Sequence, residues 1–396
     1  MKPLSGIRIA DFAFHNAGPF FTHMLSQLGA ECIKVESKLR PDIFRRPHVT
    51  YGRMTAATFD QVASNKLSIR INLKHPKGIA LAKRVVAIAD LTAESFRPGV
   101  FKRIGLGYDA LKAVKSDIIL VSVSASGQSG PDSGFAGYAP LFGAWGGLGY
   151  LTGYVDGPPV EMRHVMDHSI GLNAAFAAMA ALHRRRRTGL GAHVDVSGRE
   201  VASSLAGEAL LEAACGGAPN RMGNAQPGAA PHGLYPTRDD DCWLSIAVTT
   251  DDHWQAFARV IGRIDLLSRP NLATGAGRFA AREMLDEITE SWTETQAGDV
   301  AQETLQRAGV PAHLSWNTRE IVEDPHLRAR GMVVDVRDIE GKTRAALSVP
   351  IRLSKSERGM DRGTPDLGCG EDYVYGDLLK MSARERAELA DEQVIY

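Results

Sequence analysis

Apolar positions in the first 130 residues switch repeatedly between two spacings. "GIRIADFAF", near the start, is a nearly continuous apolar run and predicts a strand. "GPFFTHMLSQLGA" follows with apolar residues at helical spacing and Pro19 suited to the first turn, which predicts a helix. "ECIKVES" and "KLSIRINL" predict strands, and "HPKGIALAKRVVAIA" predicts a helix. "DLTAESF" and "SDIILVSVSAS" are further strand candidates. Strands alternating with helical stretches predict an α/β fold with a doubly wound, mostly parallel sheet.

The pattern then changes. Residues 127–153, "GQSGPDSGFAGYAPLFGAWGGLGYLTG", read as a glycine-rich loop with a helix inside it. A long alanine-rich helix begins just after Asp167, followed by a strand in "AHVDVS" and a helix in "GREVASSLAGEALLEAA". At "GGAPNRMGNAQPGAAPHG" glycine, proline and asparagine take over and mark a boundary. Beyond it, "CWLSIAVTT" predicts a strand, "DDHWQAFARVIG" a helix, and two charged helices run to about residue 308. "MVVDVRDIEGKTRAALSVPIRLS" reads as a hairpin and "DYVYGDLLKMSARERAELADEQVI" as helical. The expected organisation is a large domain over residues 1–220, completed by residues 335–396, with a smaller α+β domain over residues 221–334.

Charge adds exclusions. Lys plus Arg equals Asp plus Glu at 46 each, so the chain lacks the basic footprint of a nucleic-acid binder. Its four cysteines are far apart with no C-x-x-C, which argues against a disulfide framework or zinc site and for a reducing compartment. "MKPLSGIRIADF" carries charge too early for a signal peptide, and the apolar run around residues 170–182 is short for a bilayer span. The expectation is a soluble cytoplasmic protein without a membrane segment.

Candidate chemistry clusters in a few places. Glu36 ends the second strand, where a ribose-binding acid sits in dinucleotide folds, but the preceding turn "HNAGPF" lacks the glycine fingerprint. A plain strand–helix–strand unit is favoured, whose helix start still offers N–H groups to a polar or anionic ligand. "MDHSIG" is one residue away from a nucleophile elbow: Asp167 stands where G-x-S-x-G has its first glycine, with Ser169 in the serine position. Asp167 itself reads as a helix N-cap. The same place favours an ionised carboxylate, which can form covalent acyl intermediates. His164 and His168 are four apart, too few for a metal site. "HRRRR", including Arg184 to Arg187, complements a helix C-terminus and leaves open a subunit or phosphate contact. Trp145 with its flanking glycines reads equally as pocket wall or close-packed helix start.

Eight markers stand in order along the chain: "LSGIRIADF", "AGPFFTHMLSQLGAECIKVES", "NKLSIRINLKHPKG", "AESFRPGVFKRIGLGYDAL", "SGQSGP", the Asp167 block ending "RRRRTGLGAHVDVS", "GVPAHLSWNTREIVEDPHLRARGM" and "SVPIRLS". Together they resemble the class III CoA-transferases, which include formyl-CoA and carnitine CoA-transferases and α-methylacyl-CoA racemase. The resemblance runs from about Leu4 to Ile395. It implies a Rossmann-like large domain, a smaller domain from the middle of the chain, and a homodimer of interlocked rings. It also implies transfer of coenzyme A from an acyl-CoA to a small free carboxylic acid, with no permanently bound cofactor and no metal.

By position, the resemblance makes Asp167 the nucleophile that carries covalent aspartyl intermediates. It assigns CoA contacts to Asn16 and Ala17 in the first turn, and to Lys38, beside Ser37 at the usual cation position. Further contacts fall on Leu73 and Lys74, on Ser95, Phe96 and Arg97, and on Arg103 and Tyr138. Lys and Arg suit the phosphates of CoA, and an apolar slot suits its adenine. One departure bears on the reaction. Where the racemase branch has a His-Asp pair, this chain has Tyr138 and Ala139, so a second base is missing and transfer is favoured over racemisation. The alternatives are an acyl-CoA racemase or intramolecular CoA isomerase and, from another class, a serine hydrolase using Ser169.

Overall fold

The computed structural model describes residues 1–45, 57–162, 165–338 and 340–396. The first half alternates β1 (Arg8–Asp11), α1 (Ala17–Gln27), β2 (Glu31–Glu36), α2 (Ala57–Ala63), β3 (Leu67–Arg70), α3 (Pro76–Ala87), β4 (Leu91–Glu94), α4 (Tyr108–Val114) and β5 (Ile119–Ser124). Two short helices, α5 (Ala139–Trp145) and α6 (Leu148–Leu151), precede the long α7 (Val165–Thr188) and β6 (Ala192–Ser197). The six strands are all parallel and lie in the order β3-β2-β1-β4-β5-β6. From β1 the chain builds outward in one direction and from β4 in the other. β1 and β4 therefore flank the switch point where open α/β sheets bind ligands beyond their carboxyl ends. Their register, Ile9 on Leu91 and Asp11 on Ala93, ends the two strands side by side.

The strands read as apolar runs because both faces are covered. Ile9, Cys32, Leu91, Ala93, Val121 and Val123 face one layer with α1 and α7. Ala10, Ile33, Val35, Ile69 and Leu120 face the other, built by α3, α4 and the C-terminal segment that includes Val374, Tyr375 and Ile395. Ala174, Ala178 and Ala181 of α7 form a buried small-residue stripe at helical spacing, so this helix lies close to its neighbours. Closest is Gly171, where a β-carbon would come within 2.6 Å of the Phe20 ring and 3.0 Å of the Ala17 carbonyl. That glycine, half of the near-elbow pattern, serves the α1–α7 crossing.

Several expectations are corrected. Asp167 lies inside the first turn of α7, two residues after Val165, and is not its N-cap. The α7 helix has 24 residues, longer than the apolar run read from the sequence, and is long and apolar enough to cross a bilayer by length and composition alone. Here its alanine face packs into the protein core. "GREVASSLAGEALLEAA" breaks into α8 (Gly198–Leu205) and α9 (Gly207–Ala214) at Ala206. The C-terminal helical stretch divides into a turn over Asp372–Leu378 and a helix over Ala383–Asp391, parted by Lys380 at φ 54.

The chain separates into two compact units. One comprises residues 1–149, 161–215 and 325–396, and the other residues 150–160 and 216–324. The second unit holds an antiparallel sheet of β7 (His232–Pro236), β8 (Trp243–Ala247) and β9 (Ala312–Leu314), with α10 (Asp251–Val260), α11 (Gly275–Ala280), α12 (Arg282–Thr293) and α13 (Gly298–Arg307). Tyr235, Leu244, Trp254, Phe257 and Leu305 form its own core. In the first unit, β10 (Val333–Arg337) and β11 (Thr343–Leu347) form the antiparallel hairpin.

Candidate active site

Two buried lysines build the turn after β1. Lys34 on β2 has no exposed side-chain surface; its ammonium donates to the Ala13 carbonyl at 3.0 Å and to Asp42 at 2.9 Å. Lys66, equally buried, donates to Asp11 at 2.8 Å, to the Pro19 carbonyl at 2.9 Å and to Thr22 at 2.7 Å. Burial alone would raise the Asp11 pKa, but Lys66 and Lys34 together hold it below the ordinary carboxylate value. Burial would likewise lower the Lys34 pKa, and Asp42, Glu36 and Asp11 reverse that and push it up. Buried charges survive only when paired and hydrogen-bonded, so these pairs specify where the β1–α1 turn runs. Ser95 completes the clamp from the β4 side. Its hydroxyl accepts from the Phe14 N–H and donates to the Phe14 carbonyl, each at 2.9 Å.

Beyond this turn lies a cavity of about 410 Å³ at the switch point. The β1–α1 turn contributes His15 and Asn16, the β4 end Ser95 and Phe96, the β5 end Ser124, and α7 contributes Asp167. Phe135, Tyr138 and Phe142, from the loop and helix before α7, give the wall an aromatic side. The Asn16 amide lies 3.5 Å from an Asp167 carboxylate oxygen, at the outer limit of a hydrogen bond. Asn16 is 6 % exposed, and its side-chain carbonyl oxygen has no partner among the described residues. A ligand N–H would satisfy it.

Electrostatics favour negative charge here. Asp167 sits in the first turn of α7, and α1 begins at Ala17 with no side-chain cap. Two helix amino ends, each carrying a partial positive charge, thus meet at the cavity. Gly18 is required by close approach: a β-carbon there would come within 2.6 Å of the Ala13 side chain and 3.1 Å of Ser95.

A second cavity of about 340 Å³ adjoins the first across Phe96, which lines both. Ile71, Leu73, Val100 and Ile104 make it apolar, with Ser37, Arg40 and Lys74 around it. Asn16, Ala17, Ser95, Phe96, Arg97, Tyr138 and Asp167 therefore gather at the first cavity, and Leu73, Lys74 and again Phe96 at the second. Lys38 and Arg103 line neither. Lys38 lies 5.2 Å above the Tyr396 ring, and the Arg103 side chain is exposed on the turn after β4.

The other candidates have plainer roles. Glu36 is buried, and its carboxylate accepts from Arg45 at 2.8 Å, Ser68 at 3.1 Å and the Asp42 N–H at 3.1 Å. It is committed to the loop after β2, unlike a ribose-binding acid. Ser169 lies a turn inside α7, its carbonyl accepting from Asn173 at 2.9 Å, so no strand-to-helix elbow presents it. His168 meets the Phe20 ring edge-on, whereas His164 lies outside the described residues. No metal-binding cluster occurs among the described residues. Arg185 ties the far end of α7 to Asp90 at 2.6 Å, at the amino edge of the sheet and away from the cavity. Trp145 closes α5, and Gly146 packs against Ala202, which settles that stretch as close-packed.

The model of CoA-transferase family III matches residues 4–372. The chain belongs to that family. This class III CoA-transferase is 34% identical over 399 residues to the succinyl-CoA–D-citramalate CoA-transferase of Chloroflexus aurantiacus, covering 100% of this chain and 98% of the relative. It is 31% identical to the succinate–glutarate CoA-transferase of Agrobacterium fabrum, covering 95% of this chain and 96% of the relative. Among solved structures, a CaiB/BaiF family protein from Brucella suis superimposes with a TM-score of 0.86 at 31% identity, over 95% of this chain and 99% of that one. The parallel α/β fold and the enzyme class expected from the sequence both stand.

Sequence reasoning on this CoA-transferase passed over His15, Ser124, Phe135 and Phe142. The signal for His15 was its place inside "FHNAGPF", directly before Asn16. Glu94 was also missed. It lies at the end of β4, 2 % exposed, and accepts from the Phe96 N–H at 2.8 Å. Burial raises its pKa to about 7, against hydrogen bonds from Ser122 and Phe96 that work the other way. It lines a third cavity of about 440 Å³ with Ser122 and His193, whose Oγ and Nε2 are 2.9 Å apart.

Proposed function

We propose that this enzyme transfers coenzyme A from an acyl-CoA to a free carboxylic acid through covalent intermediates on Asp167. The observation that carries the reading is the Asp167 carboxylate, placed in a largely apolar cavity at the switch point beside two helix amino ends. An Asp167 oxygen attacks the thioester carbonyl, the C–S bond breaks, and CoA leaves as a thiolate with an acyl-aspartyl anhydride behind it. The thiolate attacks the aspartyl carbonyl, which releases the first carboxylate and leaves an aspartyl-CoA thioester. The acceptor carboxylate attacks that thioester, forming a new anhydride and freeing the thiolate. Attack of the thiolate on the acceptor's acyl carbon gives the new acyl-CoA and restores the Asp167 carboxylate. Charge only moves between oxygen and sulfur, so donors near the reacting carbonyls are the main requirement.

In this reading the CoA adenine occupies the second cavity, between Leu73, Val100 and Ile104, with Lys74 and Arg40 toward its phosphates. The pantetheine passes Phe96 and Ser95 toward Asp167, and its amides meet Asn16. Lys38 and Arg103 serve at most the outer phosphates. Tyr138 and Ala139 provide no second carboxylate, which supports transfer over racemisation. Leu172, Phe176 and Leu211 present exposed apolar surface, which supports self-association as a homodimer. The relatives' names make succinyl-CoA, with glutarate or citramalate, the first pairs to test.

The experiment is incubation with a panel of acyl-CoA donors and carboxylate acceptors, then hydroxylamine trapping and peptide mass spectrometry. A hydroxamate on Asp167 is expected, together with loss of transfer in Asp167→Asn. Full transfer activity in that variant would refute the mechanism.

A further inference from the structure

We propose that His15 is a further catalytic residue, whose imidazole donates a hydrogen bond to the negative charge as it moves from Asp167 to the thioester oxygen and sulfur. The inference rests on the reading of Asp167 as nucleophile. Three independent observations support it.

The first is backbone geometry. His15 has φ 66, in the left-handed region that residues with a β-carbon seldom occupy. Four other non-glycine residues share that conformation, and none lines the cavity at the switch point. The surroundings impose it. Lys34 holds the Ala13 carbonyl, Ser95 holds both backbone groups of Phe14, and Asn16 begins the approach to α1. Backbone strain retained by an over-determined loop is concentrated at functional positions.

The second is the ring itself. It lines the cavity half-buried, edge-on to Tyr138 at 5.9 Å, and makes no hydrogen bond among the described residues. Its polar atoms are available to a bound substrate.

The third is charge. Burial lowers the His15 pKa; Asp42 and Asp167 oppose this, while Arg40 and Lys34 reinforce it. Arg97 adds a further cation at the same cavity. At neutral pH the ring is therefore uncharged, with one N–H and one lone pair. An imidazolium would pair with the Asp167 carboxylate and stabilise the ground state. A neutral donor gains strength as charge builds on the substrate, because a hydrogen bond to an ionised acceptor is about twice as strong as a neutral one. Only an interaction stronger in the transition state speeds the reaction.

His15→Asn and His15→Gly separate this role from a structural one. Both replacements accept a left-handed backbone at least as readily as histidine. The expected result is folded enzyme, a kcat lowered on the order of 100-fold, and a KM for acyl-CoA changed by less than about threefold, measured with the fastest donor–acceptor pair of the panel. The wild-type kcat should also fall as pH drops through the depressed His15 pKa, a limb missing from both variants. Trapping at Asp167 should persist in the variants at a reduced rate. If the Asp167 adduct forms while His15→Gly keeps the wild-type kcat and the acid limb, this inference fails alone. If wild-type enzyme forms no Asp167 adduct, the reading of Asp167 fails and this one falls with it.

Discussion

Glu94→Gln provides a quantitative check on how the β4 end is held. Glu94 is buried beneath the turn that carries Ser95, Phe96 and Arg97. Its pKa rises from an ordinary 4.5 to about 7 in the folded chain. The folded chain thus holds this proton more tightly than the unfolded chain does. The resulting stabilisation is complete below about pH 4.5 and is lost as pH climbs through about 7. At 1.36 kcal/mol per pH unit, the gap amounts to roughly 3 kcal/mol. For a unit of this size that is about 5–10 °C in melting temperature. His23 acts in the opposite sense. Burial holds its pKa down to about 3, so its contribution is lost as pH falls below 6.5. Glutamine mimics the protonated carboxyl and keeps an acceptor for the Phe96 N–H, so the difference between variant and wild type isolates Glu94. Calorimetric melting from pH 5 to pH 8.5 should show the two proteins converging at the acid end. Toward pH 8 the variant should gain about 5–10 °C relative to wild type. A wild-type-minus-variant difference that does not change with pH would refute the assignment of a buried, titrating carboxyl at this position.

Two further outcomes follow from the packing around the same cavity. Gly171→Ala would place a β-carbon 2.6 Å from the Phe20 ring; urea unfolding should show a loss of about 1–3 kcal/mol from overpacking, and transfer activity should fall as α7 shifts away from α1. Lys66→Met leaves the buried Asp11 carboxylate without its counter-ion and should cost about 3–5 kcal/mol, whereas Lys66→Met with Asp11→Asn should recover much of that loss in the same unfolding measurement.

The sheet was legible because a parallel sheet covered on both faces leaves long apolar runs, and each of the six strand candidates before residue 200 lies in it. Asn16, Ser95 and Asp167 were singled out by the resemblance, position by position, and the structure gathers them at one cavity beyond the strand ends, where such sheets place ligands. What escaped were contacts made in three dimensions. Lys34 and Lys66 look like polar interruptions of strands, and nothing local shows that one reaches the Ala13 carbonyl and the other Asp11. His15 carried no warning of left-handed backbone, since that conformation is imposed by Lys34 and Ser95 from other strands. Phe135 and Phe142 reach the cavity from the glycine-rich loop and the short helix within it, a stretch whose sequence marked Trp145 and not these two rings as a candidate pocket wall. The α7 boundary was misplaced because an acidic residue in the first turn and one at the cap satisfy the same electrostatic preference.

That preference also explains why Asp167 and the β1–α1 turn converge. A crossover between parallel strands begins at the carboxyl edge of the sheet and returns to the amino edge, so its helix starts at the carboxyl edge. The connection from β1 to β2 makes α1, and the connection from β5 to β6 ends in α7. Both helices lie on the same face, against the same apolar layer. Their amino ends are therefore brought to one edge by topology alone, with Gly171 allowing the close approach that sets Asn16 beside Asp167. In the mechanism proposed above, a charge that migrates from carboxylate to thioester oxygen to sulfur remains within reach of both helix ends. In that mechanism the fold supplies a fixed positive environment at this edge, and Asn16 and His15 are the neutral donors set to distinguish the transition state from the ground state.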